Sequence, residues 1–251
     1  MFAFLKRHPF AVHAHFDFSA VMTFAYPSDI LRPLLPPGLT LDERDGHGFL
    51  AIAMVHTQRL RPFFVPGFLG NDFFLIGYRI FSRFETSTGK RLRGLRILQS
   101  ETDRAKMVIF GNLLTHYNYS RADIRWEKSP ETIHVTKDGP EKFDVIFHRE
   151  ANPPLPAESI FKDWREARMY AGPLPFTFDY EKETHSIVVI EGVRQNWDPV
   201  PARIQVNQCD FLKRLPFAQA KPRLCSAFVL ENIPYMWKRG RREALGKDTH
   251  V

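Results

Sequence analysis

Arg79 is the residue whose setting in the sequence most directly suggests binding chemistry. It interrupts an apolar strand face between Gly77 and Phe81, and a buried guanidinium needs a partner because titration does not remove its charge. Arg79 could clamp a ligand carboxylate through two hydrogen bonds, with Gly77 leaving room for close approach. The alternative is an internal salt bridge to a glutamate such as Glu101. The residues alone leave both interpretations open.

The next predicted strand and the best predicted helix add further polar candidates. Arg96, Gln99 and Glu101 lie on that strand, and this set suits either a carboxylate ligand or an internal ion-pair network. Arg168 follows Trp164 by four positions, so both fall on one helix face and Arg168 could point inward. The predicted ligand-binding set therefore has five side chains: Arg79, Arg96, Gln99, Glu101 and Arg168.

Two histidines on one strand raise the question of a metal. His13 and His15 share a strand face, a spacing that supplies two ligands of one ion, and His56 or His116 could supply a third. The polar half of an alternating strand explains the same pair without a metal. We predict no metal and no cofactor. The sequence also has no Ser-His-Asp order, no glycine-rich phosphate loop and no Gly-x-Ser-x-Gly elbow.

The composition is that of an ordinary folded domain. The 251 residues are 44% hydrophobic and 25% charged, and no stretch reaches the roughly 18 apolar residues of a membrane-spanning helix. We predict one domain over residues 1–251, with its core over about 20–235 and a polar tail over 238–251. Cys209 and Cys225 are too few for a disulfide scaffold, so we expect reduced, buried thiols.

The net charge of +7 raises the possibility of an acidic partner. Basic residues cluster at 90–96 and 238–242, but without the aromatic interleaving of a single-strand binder. We therefore expect solvated edges and predict a small-molecule ligand, no nucleic acid and no membrane partner. The first nine residues place their charges after a very short apolar stretch, the reverse of a secretory signal. A cytoplasmic location is expected.

Apolar patterning predicts a chain rich in strands. Residues 12–18 alternate apolar and polar, as an outer or edge strand does. Residues 72–84 are apolar on both faces, which is typical of a strand covered on both sides. The proline- and glycine-rich segment 61–70 is expected to fold over the mouth of a cavity. Further strands are predicted at 93–104, 117–126, 132–135, 143–147, 185–191, 202–208 and 226–235.

Two helices complete the predicted elements, and the first of them is short. They cover residues 107–114 and 157–170, and Gly172-Pro173 ends the second. Many strands with two or three short helices indicate an α+β domain that is mainly antiparallel and barrel-like. Phenylalanine, with 23 copies, far outnumbers the 7 tyrosines and 4 tryptophans. Such an interior suits a dry pocket and a plain core equally well.

Several segments carry a resemblance to a known superfamily. Residues 28–42 contain an apolar helical turn, a Pro-Pro-Gly stop and a short strand, before a polar turn at 43–48 and a buried strand at 49–55. They are followed by FLIGYR at 74–79, GLRILQS at 94–100, GNLLTHYN at 111–118 and GVRQNWDPV at 192–200. This order resembles the acetoacetate decarboxylase-like superfamily, and more closely its uncharacterised YqjF-like branch, over about residues 20–235. The resemblance implies a cone-shaped antiparallel β-barrel with a central cavity, and a possible homo-oligomer.

The resemblance also bears on decarboxylation. Acetoacetate decarboxylases use a lysine in a Gly-aromatic-Pro-Lys-Lys motif to form a Schiff base, and residues 112–116 align with that motif. Thr115 and His116 then stand at the two lysine positions, and Ala25 stands where the decarboxylases have a binding arginine. Lys106 lies outside the motif and is expected to be a solvated charge. We therefore predict no Schiff-base lysine.

His116 and Tyr117 stand where the superfamily keeps its catalytic group, and they are the predicted catalytic residues. A histidine and a tyrosine beside a dry cavity could act as general acid and base. The alternative is a histidine that caps a helix end or is hydrogen-bonded in the core. Two functions follow: a barrel that binds an apolar carboxylate or carbonyl compound, or a lysine-independent lyase or hydrolase on a similar ligand.

Overall fold

Antiparallel β-strands form most of the chain. The computed structural model describes residues 3–171 and 174–245. In chain order the strands are β1 (Val12–Pro27), β2 (Leu39–Leu41), β3 (Glu43–Arg44), β4 (His47–Pro62), β5 (Asn71–Glu85), β6 (Arg91–Thr102), β7 (Tyr119–Arg121), β8 (Asp123–Lys128), β9 (Thr132–Asp138), β10 (Phe143–His148), β11 (Phe176–Glu181), β12 (Ser186–Arg194), β13 (Val200–Pro201), β14 (Arg203–Cys209), β15 (Arg223–Trp237) and β16 (Arg241–Ala244).

The helices are short. The α-helices are α1 (Ser28–Leu31), α2 (Ala105–Leu114) and α3 (Trp164–Ala171), and short 3-10 helices cover Ala3–Arg7, Arg32–Leu34, Gly67–Leu69, Lys182–Thr184, Asp210–Lys213 and Phe217–Gln219. Within the described ranges, no helix is long and apolar enough to cross a membrane. The mixture of many strands and few short helices confirms the predicted α+β class.

The larger sheet closes on itself. Its strands follow the order β15-β1-β4-β5-β6-β11-β12, and β12 pairs back to β15. Neighbours around this ring are antiparallel except β6 and β11, which run parallel over three residue pairs. The pairing of β12 with β15 that closes the ring also spans three residue pairs, and the inner face of the ring surrounds a cavity.

A second sheet covers one outer face of the ring. It has the strand order β14-β10-β9-β8, and its apolar side chains, such as Val135 and Phe147, pack against Phe18, Ile76 and Tyr78 of the ring. β5 is therefore apolar on both faces because one face contacts the second sheet and the other lines the cavity. This confirms the prediction for residues 72–84. Phe18, Phe74 and Phe147 are among the phenylalanines in this core between the layers.

β1 is a central strand, so the prediction of an edge strand was wrong. It pairs with β15 on one side and with β4 on the other. Alternation shows that one face of a strand is polar, but it does not show whether the strand edges are free. A register shift between Phe16 and Phe18 also exchanges the two faces: Phe16 lines the cavity and Phe18 packs against the second sheet.

The helix predicted at 157–170 is shorter than expected and begins at Trp164. Two hydrogen bonds at the first turn fix this start: the Asp163 carboxylate accepts the Glu166 backbone N–H at 2.7 Å, and the Glu166 carboxylate accepts the N–H of the preceding residue, Lys162, at 2.7 Å. The preceding residues form turns. The predicted stop at Gly172-Pro173 lies outside the described residues.

Two elements near the C-terminal half differ from the expected pattern. β11 was not predicted, although it completes the ring between β6 and β12. The predicted polar tail contains β16, which pairs with β12 from Ser186 to Val189. The tail therefore adds a strand to the sheet as far as Ala244, and residues 246–251 lie outside the described part.

Candidate functional site

A cavity of about 750 Å³ lies inside the ring. Its lining is mostly apolar and includes Phe16, Leu75, Phe81 and Ile97. Leu69, Phe110 and Leu113 also line it and are 58%, 51% and 46% exposed, so they mark its mouth. Leu69 belongs to segment 61–70, which confirms that this loop folds over the cavity mouth.

Arg79 enters the cavity from β5. A Cβ built on Gly77 would lie 3.1 Å from both Nε and Nη2 of Arg79, so the glycine makes space for the guanidinium. Nε is buried without a hydrogen-bond partner, and no ion pair joins Arg79 to another residue in the described ranges. Burial lowers the pKa of Arg79, and the nearby tyrosines 235, 119 and 117 partly oppose this. The cavity thus holds an uncompensated positive charge.

Three tyrosines surround this charge. Tyr117, Tyr119 and Tyr235 line the cavity, and burial raises the pKa of each hydroxyl. The hydroxyls are therefore neutral near pH 7 and can donate hydrogen bonds to a carbonyl or carboxylate oxygen. The Tyr117 and Thr177 hydroxyl oxygens are 2.9 Å apart.

The end of α2 holds Tyr119 in place. The Asn112 side chain donates to the Tyr119 carbonyl and accepts its N–H, both at 2.8 Å. The Thr115 hydroxyl donates to the Gly111 carbonyl at 2.8 Å and ends the helix. The segment that resembled the decarboxylase motif therefore orders the tyrosine side of the cavity.

Cations outnumber acids around the cavity. Among the described lining residues, Asp72 is the one acid, whereas five arginines or lysines contribute: Arg61, Arg79, Arg104, Lys106 and Arg194. Arg194 donates to the Leu174 carbonyl at 3.1 Å and stacks 4.0 Å from the Trp197 ring centroid. A ligand with a negative or partly negative end suits this lining.

Glu101 and Gln99 do not line the cavity, and Glu101 is not the partner of Arg79. Glu101 lies opposite Ile76, on the face that packs against the second sheet. There Lys137 Nζ lies 2.8 and 2.9 Å from its two carboxylate oxygens, and the Tyr78 hydroxyl donates to it at 2.8 Å. The salt-bridge interpretation of Arg79 was wrong because the two side chains lie on opposite faces of the sheet.

Arg96 and His116 meet at Asp179, outside the cavity lining. Arg96 Nη1 lies 3.0 Å from the Asp179 carboxylate, which is fully buried and also accepts the His116 backbone N–H. The His116 imidazole is half-buried, and its Nε2 has no hydrogen-bond partner. Burial, followed by Lys6, lowers the pKa of His116, so the ring is neutral at pH 7. Of the predicted catalytic pair, Tyr117 reaches the cavity lining and His116 lies beside it.

Asp179 is expected to take up a proton near pH 6. Burial raises its pKa from 3.8 to about 6, although Arg96 and the His116 N–H oppose this. Between about pH 4 and pH 6 the folded chain holds a proton that the unfolded chain releases. The contribution of Asp179 to the free energy of unfolding therefore falls by about 3 kcal/mol as pH rises through this window. Infrared spectroscopy should show a protonated carboxyl that titrates near pH 6 and is missing in Asp179→Asn; titration near pH 4 would contradict the expectation.

The remaining sequence candidates lie away from the cavity. Arg168 is exposed and pairs with Asp198 at 3.2 Å. His13 and His15 line a separate cleft, and no group of three metal-ligating side chains occurs in the described ranges. Cys209 and Cys225 are free and buried, as predicted.

Sequence reasoning missed several residues of the site, because they come from distant strands. Tyr235 and Arg194 lie on β15 and β12, which meet only when the ring closes. A Cβ on Gly192 would overlap the Tyr235 hydroxyl. Gly192, like Gly77, was a usable signal, since glycine inside a strand marks a close approach.

A family model matches most of the chain. The family is DUF2071, described as an uncharacterized conserved protein (COG2071), and the match covers residues 13–230. No curated protein sequence matches.

Solved structures with the same fold are distant in sequence. Acetoacetate decarboxylase from Legionella pneumophila subsp. pneumophila str. Philadelphia 1 has a TM-score of 0.61 and 12% identity, with 92% of this chain and 87% of that chain covered. An acetoacetate decarboxylase-like enzyme from Sphingomonas wittichii RW1 has a TM-score of 0.61 and 11% identity, with 96% and 94% covered. The enduracididine biosynthesis enzyme MppR complexed with pyruvate has a TM-score of 0.56 and 13% identity, with 93% of this chain and 90% of that chain covered. The fold is acetoacetate decarboxylase-like.

Proposed function

This chain belongs to the DUF2071 family of uncharacterized conserved proteins and has an acetoacetate decarboxylase-like fold, and from that premise we propose that it binds a small apolar carboxylate or carbonyl compound. The observation that carries the proposal is Arg79. Its guanidinium lies in a mostly apolar cavity with Nε unpartnered. A buried charge of this kind is costly in the empty protein and is compensated when an anion binds.

The surroundings of Arg79 define the ligand class. The guanidinium can bind a carboxylate through two N–H donors, and the neutral hydroxyls of Tyr119 and Tyr235 can donate to further oxygens. Most of the remaining wall is apolar, so we propose that the rest of the ligand is apolar too. The enduracididine biosynthesis enzyme MppR, which shares the fold, has been solved with pyruvate, a small carboxylate that also carries a carbonyl group. This supports the same class here.

We propose binding without a Schiff base. A lysine nucleophile needs burial or a neighbouring cation to lower its pKa. Among the described lining residues, Lys106 is the one lysine, and it is exposed on α2 at the mouth. The Thr115 hydroxyl is occupied by the Gly111 carbonyl. These contacts support a binding barrel over covalent decarboxylation.

The acid/base alternative has less support. It needs the His116 and Tyr117 side chains to reach one ligand, whereas His116 lies outside the lining and the Tyr117 hydroxyl bonds to Thr177. Tyr117 is therefore better suited to orient a ligand oxygen than to exchange a proton with His116.

Hexanoate is expected to bind in preference to hexanol. Both fill the apolar part of the cavity, but only the carboxylate compensates the charge of Arg79, which should favour it by at least about tenfold. Titration followed by tryptophan fluorescence is suitable, since Trp197 and Trp237 line the cavity. Equal affinities would contradict the proposal. An adduct trapped by borohydride with acetoacetate would show that a lysine of this chain does form a Schiff base.

A further inference from the structure

A second cleft, of about 770 Å³, lies where β1, β4, β12 and β15 come together beside the mouth loop. Its polar lining is basic: His13, His15, Arg59, Arg61 and Arg194 contribute to it. Within the described ranges, no aspartate or glutamate lines this cleft. A concave surface with several donors and no acid concentrates positive potential.

Several of these donors have no protein partner. No hydrogen bond or ion pair joins the side chains of His13, His15 or Arg59 to another residue of the described ranges. Arg61 Nε donates to the Val65 carbonyl at 3.1 Å, and its Nη1 donates to the Arg59 carbonyl at 2.9 Å. Neutral carbonyls fix this guanidinium in place but leave its charge uncompensated.

The strand register brings the histidines and arginines together. His13 lies opposite Arg61 in the pairing of β1 with β4, and cross-strand partners project from the same face. His15 lies two residues further along that face. A cation beside these imidazoles would be repelled by the guanidinium, so the arrangement favours an anion over the metal that the histidine spacing alone suggests.

We propose that this cleft binds a phosphate group. A phosphate offers several oxygens and up to two negative charges, which matches separate guanidinium and imidazole N–H donors better than a single carboxylate does. Arg61, Arg194 and Tyr235 line both the cleft and the central cavity. The phosphate is either free in solution or attached to a molecule whose apolar part enters the cavity.

Isothermal titration with inorganic phosphate tests the cleft. Wild type should bind phosphate saturably, and both Arg59→Gln and His13→Gln should bind it at least about tenfold more weakly. Arg91→Gln is the matched control, because it removes the same charge from an exposed hairpin residue whose ion-pair partner in the described ranges is Glu85, at 3.4 Å. It should leave the affinity unchanged. An unchanged urea unfolding midpoint shows that a variant is folded.

Titration with hexyl phosphate distinguishes free phosphate from a phosphate attached to an apolar molecule. If it binds more tightly than inorganic phosphate and hexanoate competes with it, the phosphate is the head of a cavity ligand; equal affinity without competition indicates free phosphate. The proposal is overturned if neither compound binds saturably. It is also overturned if Arg91→Gln and Arg59→Gln lose the same amount of affinity for inorganic phosphate. Arg79→Gln should lower the affinity for hexanoate and leave the affinity for inorganic phosphate unchanged. This inference and the proposed function can therefore fail independently.

Discussion

Arg79→Met is expected to stabilise the protein and at the same time to weaken carboxylate binding strongly. Arg79 Nε has no partner, so the empty cavity carries the cost of a buried charge that methionine removes. Methionine fills a similar volume. The free energy of unfolding should rise by about 1–3 kcal/mol, measured by urea unfolding with an unchanged m-value.

The same substitution should weaken the binding of hexanoate by about 2–5 kcal/mol, which lowers its affinity about 30-fold to several thousand-fold. Arg91→Met is the control: its side chain is 86% exposed, so neither stability nor binding should change. A gain in stability with a loss of binding is the signature of a residue kept for its ligand. If Arg79→Met instead unfolds the protein more easily, the guanidinium serves the fold and the proposed function loses its main support.

Lys137→Met is expected to cause the largest loss of stability, about 3–5 kcal/mol. It leaves Glu101 buried against the second sheet without its cation, while only the neutral donors of Tyr78 and Gln99 remain on the carboxylate in the described part of the chain. An uncompensated buried charge costs more than the ion pair contributes. Urea unfolding measures the loss, and hexanoate binding to the folded fraction should stay unchanged because the pair lies outside the cavity.

A double variant separates this cost from general damage to the core. Lys137→Met combined with Glu101→Gln removes both charges, so it should recover most of the stability that the single variant loses. If the double variant is as unstable as the single one, packing around Lys137 rather than the carboxylate charge accounts for the effect.

The features that the sequence could predict are those with local causes. The helical turn, Pro-Pro-Gly stop and strand at residues 28–41 follow from neighbouring residues, and α1 and β2 confirm them. The two apolar faces of β5 follow from alternation, and with them the position of Arg79 in the cavity. The spacing of Asp163 and Glu166 was a usable but unused signal for the start of α3, because the apolar spacing before it suggested a longer helix.

The features that the sequence could not predict depend on pairings between distant segments. Glu101 and Lys137 are 36 positions apart, and nothing local links them. Tyr235 and Arg194 meet only through the pairing of β12 with β15. The face exchange in β1 depends on a register shift, which turns every later side chain to the other side.

Gly77 and Gly192, which leave room for the Arg79 and Tyr235 side chains, make the proposed binding site recognisable in other sequences. Any residue with a Cβ at position 192 would displace the Tyr235 hydroxyl, and one at position 77 would crowd the Arg79 guanidinium. A relative that no longer binds the ligand does not need the space at either position, so larger residues can replace both glycines. Glycine at 77 and 192 together with arginine at 79 should therefore mark relatives that keep the ligand, and a side chain at either glycine position should mark those that have lost it.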